Sequence, residues 1–502
     1  MHSKTLSGGL VSLRQTFPKG NFIRGEDIFA RAISADWQSC RPGDIYFALA
    51  TPTEDGHEFA EQAVARGASA VVAERLLPVD APQLVVRDSR AAFSRVCQAL
   101  AGNPSRQLRT VGVAGTAGKT VTSMLIASVF EAAGQPTGVV SSIGNSDSLD
   151  QSPPTGAAPT SRELATWMQR MVTAGCKSAV LELSSRVLAE RRAAGIGLDV
   201  AVLTNVKSGA SAEFNSAQAY QAIQQRALKL LKADGLAIVN ADDYRCRNLL
   251  AGIERPCLTY GLHAEADVTA EILKRSPSEQ SFLLSAGDDC VPVRTTMIGD
   301  HHVSNCLAAA AVGLACDIDL MTIVRGLEKV DRVPLRLERL ECGQPFSVFV
   351  DSAKTAETLS LAIKTARQVT PGRVFVVFAA PAGASRAQRA MLGRVLERGA
   401  HVPVLTSGDV DAANPLGPVH DMLDGFERAK RAQIVPTRAR AIEIALASAK
   451  PGDTVLIAGA EDRCAAADGE QASPADDREV VCAWLYGQSA PHQSQSRFRI
   501  VG

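Results

Sequence analysis

The sequence predicts an α/β protein with more than one domain, and three observations support this prediction. Short apolar runs alternate with helical patterns along nearly the whole chain, as in folds built on parallel sheets. The chain has 502 residues, which at roughly 100–200 residues per domain suggests two to four domains. Hydrophobic residues make up 46% and charged residues 21%, so each domain can bury an ordinary core.

The first section, residues 1–107, is predicted to form an N-terminal α/β domain. Residues 44–49 are a short apolar run typical of a strand. A helical pattern over 58–66 follows, and a second strand pattern covers 68–73. A strand, a helix and a strand at this spacing indicate an α/β unit.

The second section, residues 108–332, is predicted to form the central domain. A β-rich run over 108–113 leads into a glycine-rich loop and a long helical pattern over 120–133. Further strand patterns lie at 178–182, 200–203 and 237–240. Helical patterns between them predict a mostly parallel sheet with helices on both faces. Alternating residues within 264–297 predict a small antiparallel excursion.

The third section, residues 333–487, is predicted to form a C-terminal, Rossmann-like α/β domain. Its strand patterns, separated by helical patterns, lie at 346–351, 373–378, 402–405 and 454–457. A second open sheet is therefore expected. Residues 488–502 are polar and are expected to form a mobile tail.

Charge and hydropathy exclude several classes of protein. Lys+Arg and Asp+Glu both number 53, and this zero formal charge argues against a nucleic-acid partner. No apolar run approaches the ~20 residues of a membrane span, so no membrane insertion is expected, and residues 306–316 are predicted to form a buried helix. The N-terminus lacks the apolar core of a secretory signal, and the 11 cysteines are scattered. Both features favour a cytoplasmic location with reduced thiols.

The most specific chemical signal is the loop over residues 112–120, which reads GVAGTAGKT. It follows a strand pattern and opens a helical pattern, the context that a phosphate-binding loop (P-loop) requires. Its glycines let backbone N–H groups face phosphate oxygens, and the helix N-terminus adds partial positive charge. Lys119 is expected to contact the β- and γ-phosphates of ATP, and the Thr120 hydroxyl to bind Mg²⁺. The residues predicted to bind the nucleotide here are Gly115, Thr116, Ala117, Gly118, Lys119 and Thr120.

Several candidate residues have a structural alternative beside the functional one. Val113 stands where the usual loop has its first glycine, so a glycine turn with an incidental lysine is the alternative there. Glu182 ends a strand pattern, and the carboxyl ends of parallel strands usually face the ligand; the alternative is a solvated carboxylate. His301 and His302 are either surface residues at a helix start or ligand contacts. Arg336 is either a ligand contact or a surface salt-bridge partner.

The G-T-x-G-K-T form of the loop resembles that of the Mur ligases. Order and spacing of further segments extend the resemblance along nearly the whole chain, and they are similar to those of the MurE type. The matching segments are RPGDIYFAL at 41–49, DGH at 55–57, LELSS at 181–185, LTNV at 203–206, AIVNADD at 237–243, GDHHVSN at 299–305, RLE at 336–338 and FVD at 349–351.

The resemblance implies a three-domain Mur ligase architecture. A central P-loop ATPase-like sheet would bind ATP, the N-terminal domain a UDP-sugar and the C-terminal domain an amino acid. The implied enzyme is an ATP-dependent ligase that adds the third residue of the peptidoglycan stem peptide to a UDP-muramoyl peptide. A substrate carboxylate attacks the γ-phosphate, and an amine then displaces phosphate from the acyl phosphate. The implied functional residues are Lys119 and Glu182 for catalysis, Thr120 and Glu182 for Mg²⁺, and Asn305, Arg336 and Asp351 for the nucleotide.

The sequence departs from the family pattern where a second metal would bind. Gly209 and Ala210 replace an Asp-His pair of the family, and neither side chain can ligate a metal. The family's carbamylated lysine falls at Gln224, whose neutral amide is a poor substitute for an anionic oxygen ligand. Lys207 is one candidate residue to replace the positive charge that is lost at these positions.

The amino-acid side departs from the pattern as well. The family's D-Y-A-H-T-P segment reads DSAKTA from Asp351, with Lys354 as a second candidate for compensating charge. The specificity segment near 407–411 lacks the arginine that captures a substrate carboxylate. Two hypotheses therefore stand. The first is a ligase of peptidoglycan precursors, and the second is a catalytically inactive, nucleotide-binding paralogue that regulates or scaffolds other cell-wall enzymes.

Overall fold

The computed structural model describes residues 9–51, 54–206, 214, 216–250, 254–381, 383–407, 416–459 and 476–489. The chain divides into two compact units. Unit 1 comprises Met1–Glu271, Phe282–Val293 and His301–Val330, and unit 2 comprises Ile272–Ser281, Arg294–Asp300 and Asp331–Gly502. The boundaries at 107, 332 and 487 stay predictions. None of the described helices is both long and apolar enough to cross a membrane.

The N-terminal part of unit 1 contains two small sheets, one of five strands and a separate one formed by the first and third strands. Its strands are β1 (Val11–Ser12), β2 (Asn21–Ile23), β3 (Phe29–Ala30), β4 (Ile33–Ser34), β5 (Ile45–Phe47), β6 (Ala70–Ala73) and β7 (Gln83–Val85). Its helices are α1 (Leu13–Thr16), α2 (Ala60–Ala65) and α3 (Ser89–Leu100), with 3₁₀ turns at Gly56–Phe59 and Pro104–Arg106. The order β2-β7-β6-β5-β4 makes one five-stranded sheet, in which β4 to β7 are parallel.

Strand predictions for this part are confirmed. Both apolar runs, 44–49 and 68–73, contain strands of the parallel sheet, and both strands are buried. The helix predicted over 58–66 begins as a 3₁₀ turn before it becomes α2. Asp55 causes this start, since its carboxylate accepts the backbone N–H of His57 and holds the first turn.

The central part of the chain is built on an eleven-stranded sheet. Its strands are β8 (Arg109–Ala114), β9 (Thr137–Ser141), β10 (Gly144–Ser146), β11 (Gln151–Ser152), β12 (Ser178–Leu183), β13 (Leu198–Leu203), β14 (Leu231–Asn240), β15 (Cys257–Gly261), β16 (Val268–Arg275), β17 (Gln280–Ala286) and β18 (Asp289–Thr295). Its helices are α4 (Lys119–Ala132), α5 (Ser161–Thr173), α6 (Ser185–Ala189), α7 (Ala217–Leu228), α8 (Tyr244–Asn248), α9 (Asp300–Ala315) and α10 (Leu320–Glu328). The strand order is β11-β10-β9-β12-β8-β13-β14-β15-β16-β17-β18.

The parallel core of this sheet is the one that the sequence predicts. Strands β9, β12, β8, β13, β14, β15 and β16 are parallel neighbours, and apolar side chains of β8, β12 and β13 are buried. The excursion predicted within 264–297 consists of β16, β17 and β18. They extend the edge of the same sheet, and their short connections require antiparallel neighbours. The helix predicted over 306–316 is the buried part of α9.

The register of the three middle strands brings their carboxyl ends to one level. Ala114 at the end of β8 pairs with Leu183 of β12 on one side and with Leu203 of β13 on the other. The residues that follow these strands therefore meet at one edge of the sheet, where ligands of α/β proteins bind. Gly115, Ser184 and Thr204 come directly after the three strands.

The C-terminal part of the chain, in unit 2, has a sheet of its own. Its strands are β19 (Glu338–Leu340), β20 (Ser347–Asp351), β21 (Val374–Ala379), β22 (Val402–Thr406), β23 (Gln433–Ile434) and β24 (Thr454–Ala458). Its helices are α11 (Ala356–Val369), α12 (Arg386–Gly399), α13 (Gly417–Leu423), α14 (Arg438–Ser448) and α15 (Asp477–Ser489), with a 3₁₀ turn at Ala429–Arg431. The order is β19-β20-β24-β21-β22-β23, and every neighbouring pair except β19–β20 is parallel.

Each of the four strands predicted for this part is present as β20, β21, β22 or β24. Helix α15 continues to Ser489, and the remaining residues of the predicted tail, 490–502, lie outside the described residues.

Phe378→Ala is expected to lower the free energy of unfolding of unit 2 by about 3–5 kcal/mol. Phe378 lies on β21, is fully buried and packs in an apolar cluster with Leu392 and Leu396 of α12. Met391 lies on the same helix and is 58% exposed, so Met391→Ala is the matched control and should change stability by under about 0.5 kcal/mol. Denaturant titration of both variants tests this; equal losses would contradict the assignment of this core.

Candidate functional site

The loop after β8 turns tightly at two glycines before α4 begins. Gly115 has φ = 133° and Gly118 has φ = 85°, conformations that L side chains rarely adopt. A Cβ on Gly115 would lie 2.1 Å from the Thr204 hydroxyl oxygen, and one on Gly118 would lie 2.5 Å from Oδ1 of Asn305. The glycines of the predicted phosphate loop are therefore required by both backbone conformation and close packing.

Residues at the end of β13 hold the loop through its backbone. The amide of Asn205 makes two hydrogen bonds with Ala117: Oδ1 accepts from its N–H at 3.0 Å, and Nδ2 donates to its carbonyl at 2.9 Å. The carbonyl of Asn205 also accepts the N–H of Thr116 at 2.8 Å. Thr204 donates its hydroxyl to the Ala117 carbonyl at 2.7 Å. These hydrogen bonds fix the shape of the loop.

Asn205→Asp is expected to weaken ATP binding about tenfold, because aspartate cannot donate to the Ala117 carbonyl and places charge against it. Isothermal titration with Mg²⁺·ATP measures the change. Asn248→Asp makes the same substitution at an exposed position on α8 and should leave the affinity unchanged. Unchanged affinity in a folded Asn205→Asp protein would show that the hydrogen bonds between the Asn205 side chain and Ala117 are dispensable for ATP binding.

Lys119 is the first residue of α4, and its ammonium group lies over the loop. Its Nζ donates to the carbonyls of Gly115 at 3.0 Å and Thr116 at 3.1 Å. The side chain is half-buried, and Lys119 belongs to the first turn of α4, whose backbone N–H groups have no acceptor within the helix. This combination of a cation with helix N–H donors suits a phosphate group.

Thr120 and Glu182, the predicted Mg²⁺ ligands, are brought together by the sheet. The Thr120 hydroxyl donates to Oε2 of Glu182 at 3.0 Å, and Glu182 is 8% exposed. Oε2 also accepts the backbone N–H of Ser142 at 2.9 Å, while the Ser142 hydroxyl lies 3.0 Å from that of Thr120. Hydroxyl and carboxylate oxygens are the donors that Mg²⁺ prefers, so the residues present fit this ion. Ser142 is a neighbour that the sequence did not indicate.

Asn305 lies beneath the loop, on α9. It is 6% exposed, and its Oδ1 accepts the Thr122 hydroxyl at 3.3 Å as well as packing against Gly118. Its role in nucleotide binding, which the family resemblance implies, stays a prediction. His301 and His302, in the first turn of α9, have ring centroids 4.2 Å apart, and His302 is buried.

Arg336 and Asp351 belong to unit 2, where the structure places them in local hydrogen bonds. Both oxygens of Asp351 accept backbone N–H groups, from Leu337 and Ala353, each at 2.8 Å. Burial raises the pKa of Asp351, and these two donors act in the opposite direction. Arg336 donates to the Leu335 carbonyl at 3.0 Å and to the Ser352 hydroxyl. Their role in nucleotide binding stays a prediction.

A chain of polar side chains runs from the phosphate loop to Gln224 on α7. The Thr116 hydroxyl lies 3.0 Å from the Tyr220 hydroxyl, which accepts the Ser185 hydroxyl at 3.3 Å. Nε2 of Gln224 donates to Oγ of Ser185 at 3.0 Å. Gln224 is fully buried, and its Oε1 has no hydrogen-bond partner among the described residues.

Several departures from the family pattern fall outside the described residues. These are Lys207, Gly209 and Ala210 after β13, and residues 408–411 in the C-terminal part. Lys354 is described and exposed, just before α11. The proposed compensation by Lys207 or Lys354 stays a prediction.

The strand, the glycine loop and the Lys-Thr pair at the start of α4 define an α/β protein of the P-loop class. The model of the Mur ligase middle domain matches residues 113–313, and that of the "Mur ligase, glutamate ligase domain" matches 335–461. The chain is 34% identical over 459 residues, 90% of its length, to a UDP-N-acetylmuramoyl-L-alanyl-D-glutamate–2,6-diaminopimelate ligase of Geobacillus thermodenitrificans, of which it covers 94%. The chain belongs to the Mur ligase family.

Solved structures support the same fold. A structure of a UDP-N-acetylmuramoyl-L-alanyl-D-glutamate–2,6-diaminopimelate ligase matches with a TM-score of 0.67 at 25% identity, over 90% of this chain and 94% of that one. A MurF ligase from Thermotoga maritima, solved in complex with ADP, matches with a TM-score of 0.62 at 18% identity, over 91% and 98% of the two chains. The predicted family and its α/β fold class are confirmed.

Proposed function

We propose that this chain is a MurE-like ligase that uses ATP and Mg²⁺ to join an amino acid to a UDP-muramoyl peptide during the synthesis of peptidoglycan precursors. The observation that carries the proposal is the Thr120–Glu182 contact beside the phosphate loop. It supplies a hard-cation site next to Lys119, as phosphoryl transfer requires. The 34% identity to a diaminopimelate ligase supports the substrate class.

The residues of unit 1 provide the chemistry of the first step. The substrate carboxylate forms a bond to the γ-phosphorus of ATP while the bond to ADP breaks, so negative charge develops on phosphate oxygens. Lys119 and the N–H groups at the start of α4 stabilise that charge. Thr120 and Glu182 would hold Mg²⁺, which neutralises phosphate charge when bound. In the second step an amine attacks the acyl carbon and phosphate leaves.

The substrates also indicate where and with what the protein works. ATP and a nucleotide-linked precursor are expected in the cytoplasm. Other enzymes of cell-wall synthesis are expected to supply the precursor and to consume the product. The segment near 407–411 lacks the arginine that the family resemblance implies for capture of a substrate carboxylate, so we propose an amino acid, and not diaminopimelate in particular, as the amino substrate.

A phosphate-release assay tests the proposal. Purified protein is incubated with Mg²⁺·ATP, UDP-muramoyl dipeptide and a panel of amino acids that includes diaminopimelate and lysine. We expect release that depends on both the precursor and one class of amino acid. Nucleotide binding without release across the panel would instead support the inactive paralogue.

A further inference from the structure

The polar chain from Thr116 to Gln224 has a defined hydrogen-bond direction. An amide nitrogen donates and does not accept, so Oγ of Ser185 must accept from Gln224. A hydroxyl carries a single proton, and Ser185 donates its own to Tyr220. Tyr220 keeps its own proton, and among its contacts within the described residues Oγ1 of Thr116 is the oxygen that can accept it. Each hydrogen bond between Gln224 and Thr116 is therefore donated in the direction of the phosphate loop.

This direction decides what Thr116 offers to a ligand. When Oγ1 of Thr116 accepts from Tyr220, the Thr116 proton is directed away from Tyr220. Phosphate oxygens only accept hydrogen bonds, so a loop hydroxyl that donates favours phosphate and one that presents a lone pair opposes it. Chains of buried hydrogen bonds also polarise one another in a common direction. A carboxylate at position 224 would only accept, so each of these hydrogen bonds would be donated in the opposite direction, away from the phosphate loop.

We propose that Gln224 is a positioning residue for phosphate binding, because its amide fixes the direction of the Ser185–Tyr220–Thr116 hydrogen bonds so that Thr116 donates to the bound nucleotide. The proposal rests on the proposed function, since it requires a nucleotide phosphate in the loop. It gives a role to the residue at which the family pattern is replaced. It also explains why a neutral amide, with a buried donor, occupies the end of the chain.

The test is a double-mutant cycle on nucleotide affinity, measured by isothermal titration with Mg²⁺·ATP. The first change is Gln224→Glu, which keeps the shape but makes the group an acceptor. The second is Tyr220→Phe, which interrupts the chain between Ser185 and Thr116. Gln221→Glu is the charge control, because it adds the same charge one turn earlier on α7 at a residue that takes no part in the Gln224–Ser185–Tyr220–Thr116 hydrogen bonds.

We expect Gln224→Glu to weaken Mg²⁺·ATP binding at least about tenfold when Tyr220 is present. In the Tyr220→Phe background the loss should be about threefold or less, because only the through-space repulsion between the new carboxylate and the phosphates remains. That repulsion is common to both backgrounds and cancels in the cycle. Gln221→Glu should give the same factor in both backgrounds.

An equal loss for Gln224→Glu in both backgrounds would overturn the proposal and leave the proposed function intact. A wild-type protein that does not bind Mg²⁺·ATP would overturn both. If Gln224→Glu does not fold, Gln224→Met repeats the cycle without a charge. It should weaken binding about threefold with Tyr220 present and not at all with Tyr220→Phe, and equal factors would again overturn the proposal.

Discussion

Lys119→Ala is expected to lower the rate of ATP-dependent phosphate release by about 10²–10³-fold and to weaken ATP binding by roughly tenfold or more. Lys119 supplies the ammonium group that lies over the loop, within 3.0 Å of the Gly115 carbonyl and 3.1 Å of the Thr116 carbonyl. Its removal leaves the phosphate charge to the proposed Mg²⁺ and to the helix N-terminus, and the partial charge of that terminus is about half of a unit charge. Titration and the phosphate-release assay measure the two effects.

The matched control for this prediction is Lys177→Ala. Lys177 is exposed and precedes β12, at the end of the strand remote from Glu182, so the same substitution removes a charge without touching the loop. Its ATP affinity should equal that of the wild type. If Lys119→Ala also bound ATP like the wild type, the assignment of this loop to phosphate binding would be wrong.

Glu182→Gln is expected to lower the rate of phosphate release by about 10²–10³-fold at a fixed Mg²⁺ concentration, with partial recovery at high Mg²⁺. The amide keeps the size of the side chain but removes the negative charge that attracts a divalent cation. A Mg²⁺ titration of the rate tests this, because loss of a metal ligand moves the midpoint to higher concentration.

Ser142→Ala is the control within the same cluster. Ser142 holds Glu182 through its backbone N–H, which alanine retains, and loses only a hydroxyl. Its Mg²⁺ midpoint should move far less than that of Glu182→Gln. Equal midpoints for wild type and Glu182→Gln would remove Glu182 from the cation site.

Most of the architecture is predicted from local sequence patterns, because each strand and helix shows its hydrophobic periodicity within a short stretch of sequence. The parallel strands β8, β12 and β13 are continuous apolar runs, as strands covered on both faces must be. The phosphate loop is readable for the same reason: its glycines, lysine and threonine are consecutive. Thr120 and Glu182 are 62 positions apart, and only the expectation that carboxyl ends of parallel strands share an edge relates them.

Other parts of the site could not be read from the sequence because they depend on contacts across the sheet. Asn205 clamps Ala117 from a neighbouring strand, and Ser142 reaches Glu182 from the end of β9. Neither residue type at these positions signals a role in isolation. The sequence marks Gln224 only as a departure from the family pattern. Its hydrogen bond to Ser185, which lies 39 positions away in the sequence, is visible only in the structure.

Three adjacent strands each lead into one part of the proposed nucleotide site: β8 into the loop, β12 into Glu182 near its end, and β13 into Asn205. Backbone hydrogen bonds between these strands hold the three strand ends at one level, and the side chains of Thr204, Asn205 and Thr120 add contacts across them. Substitutions in the C-terminal sheet leave this ladder untouched. The relative positions of Gly115, Glu182 and Asn205 should therefore tolerate sequence change in the C-terminal part of the chain.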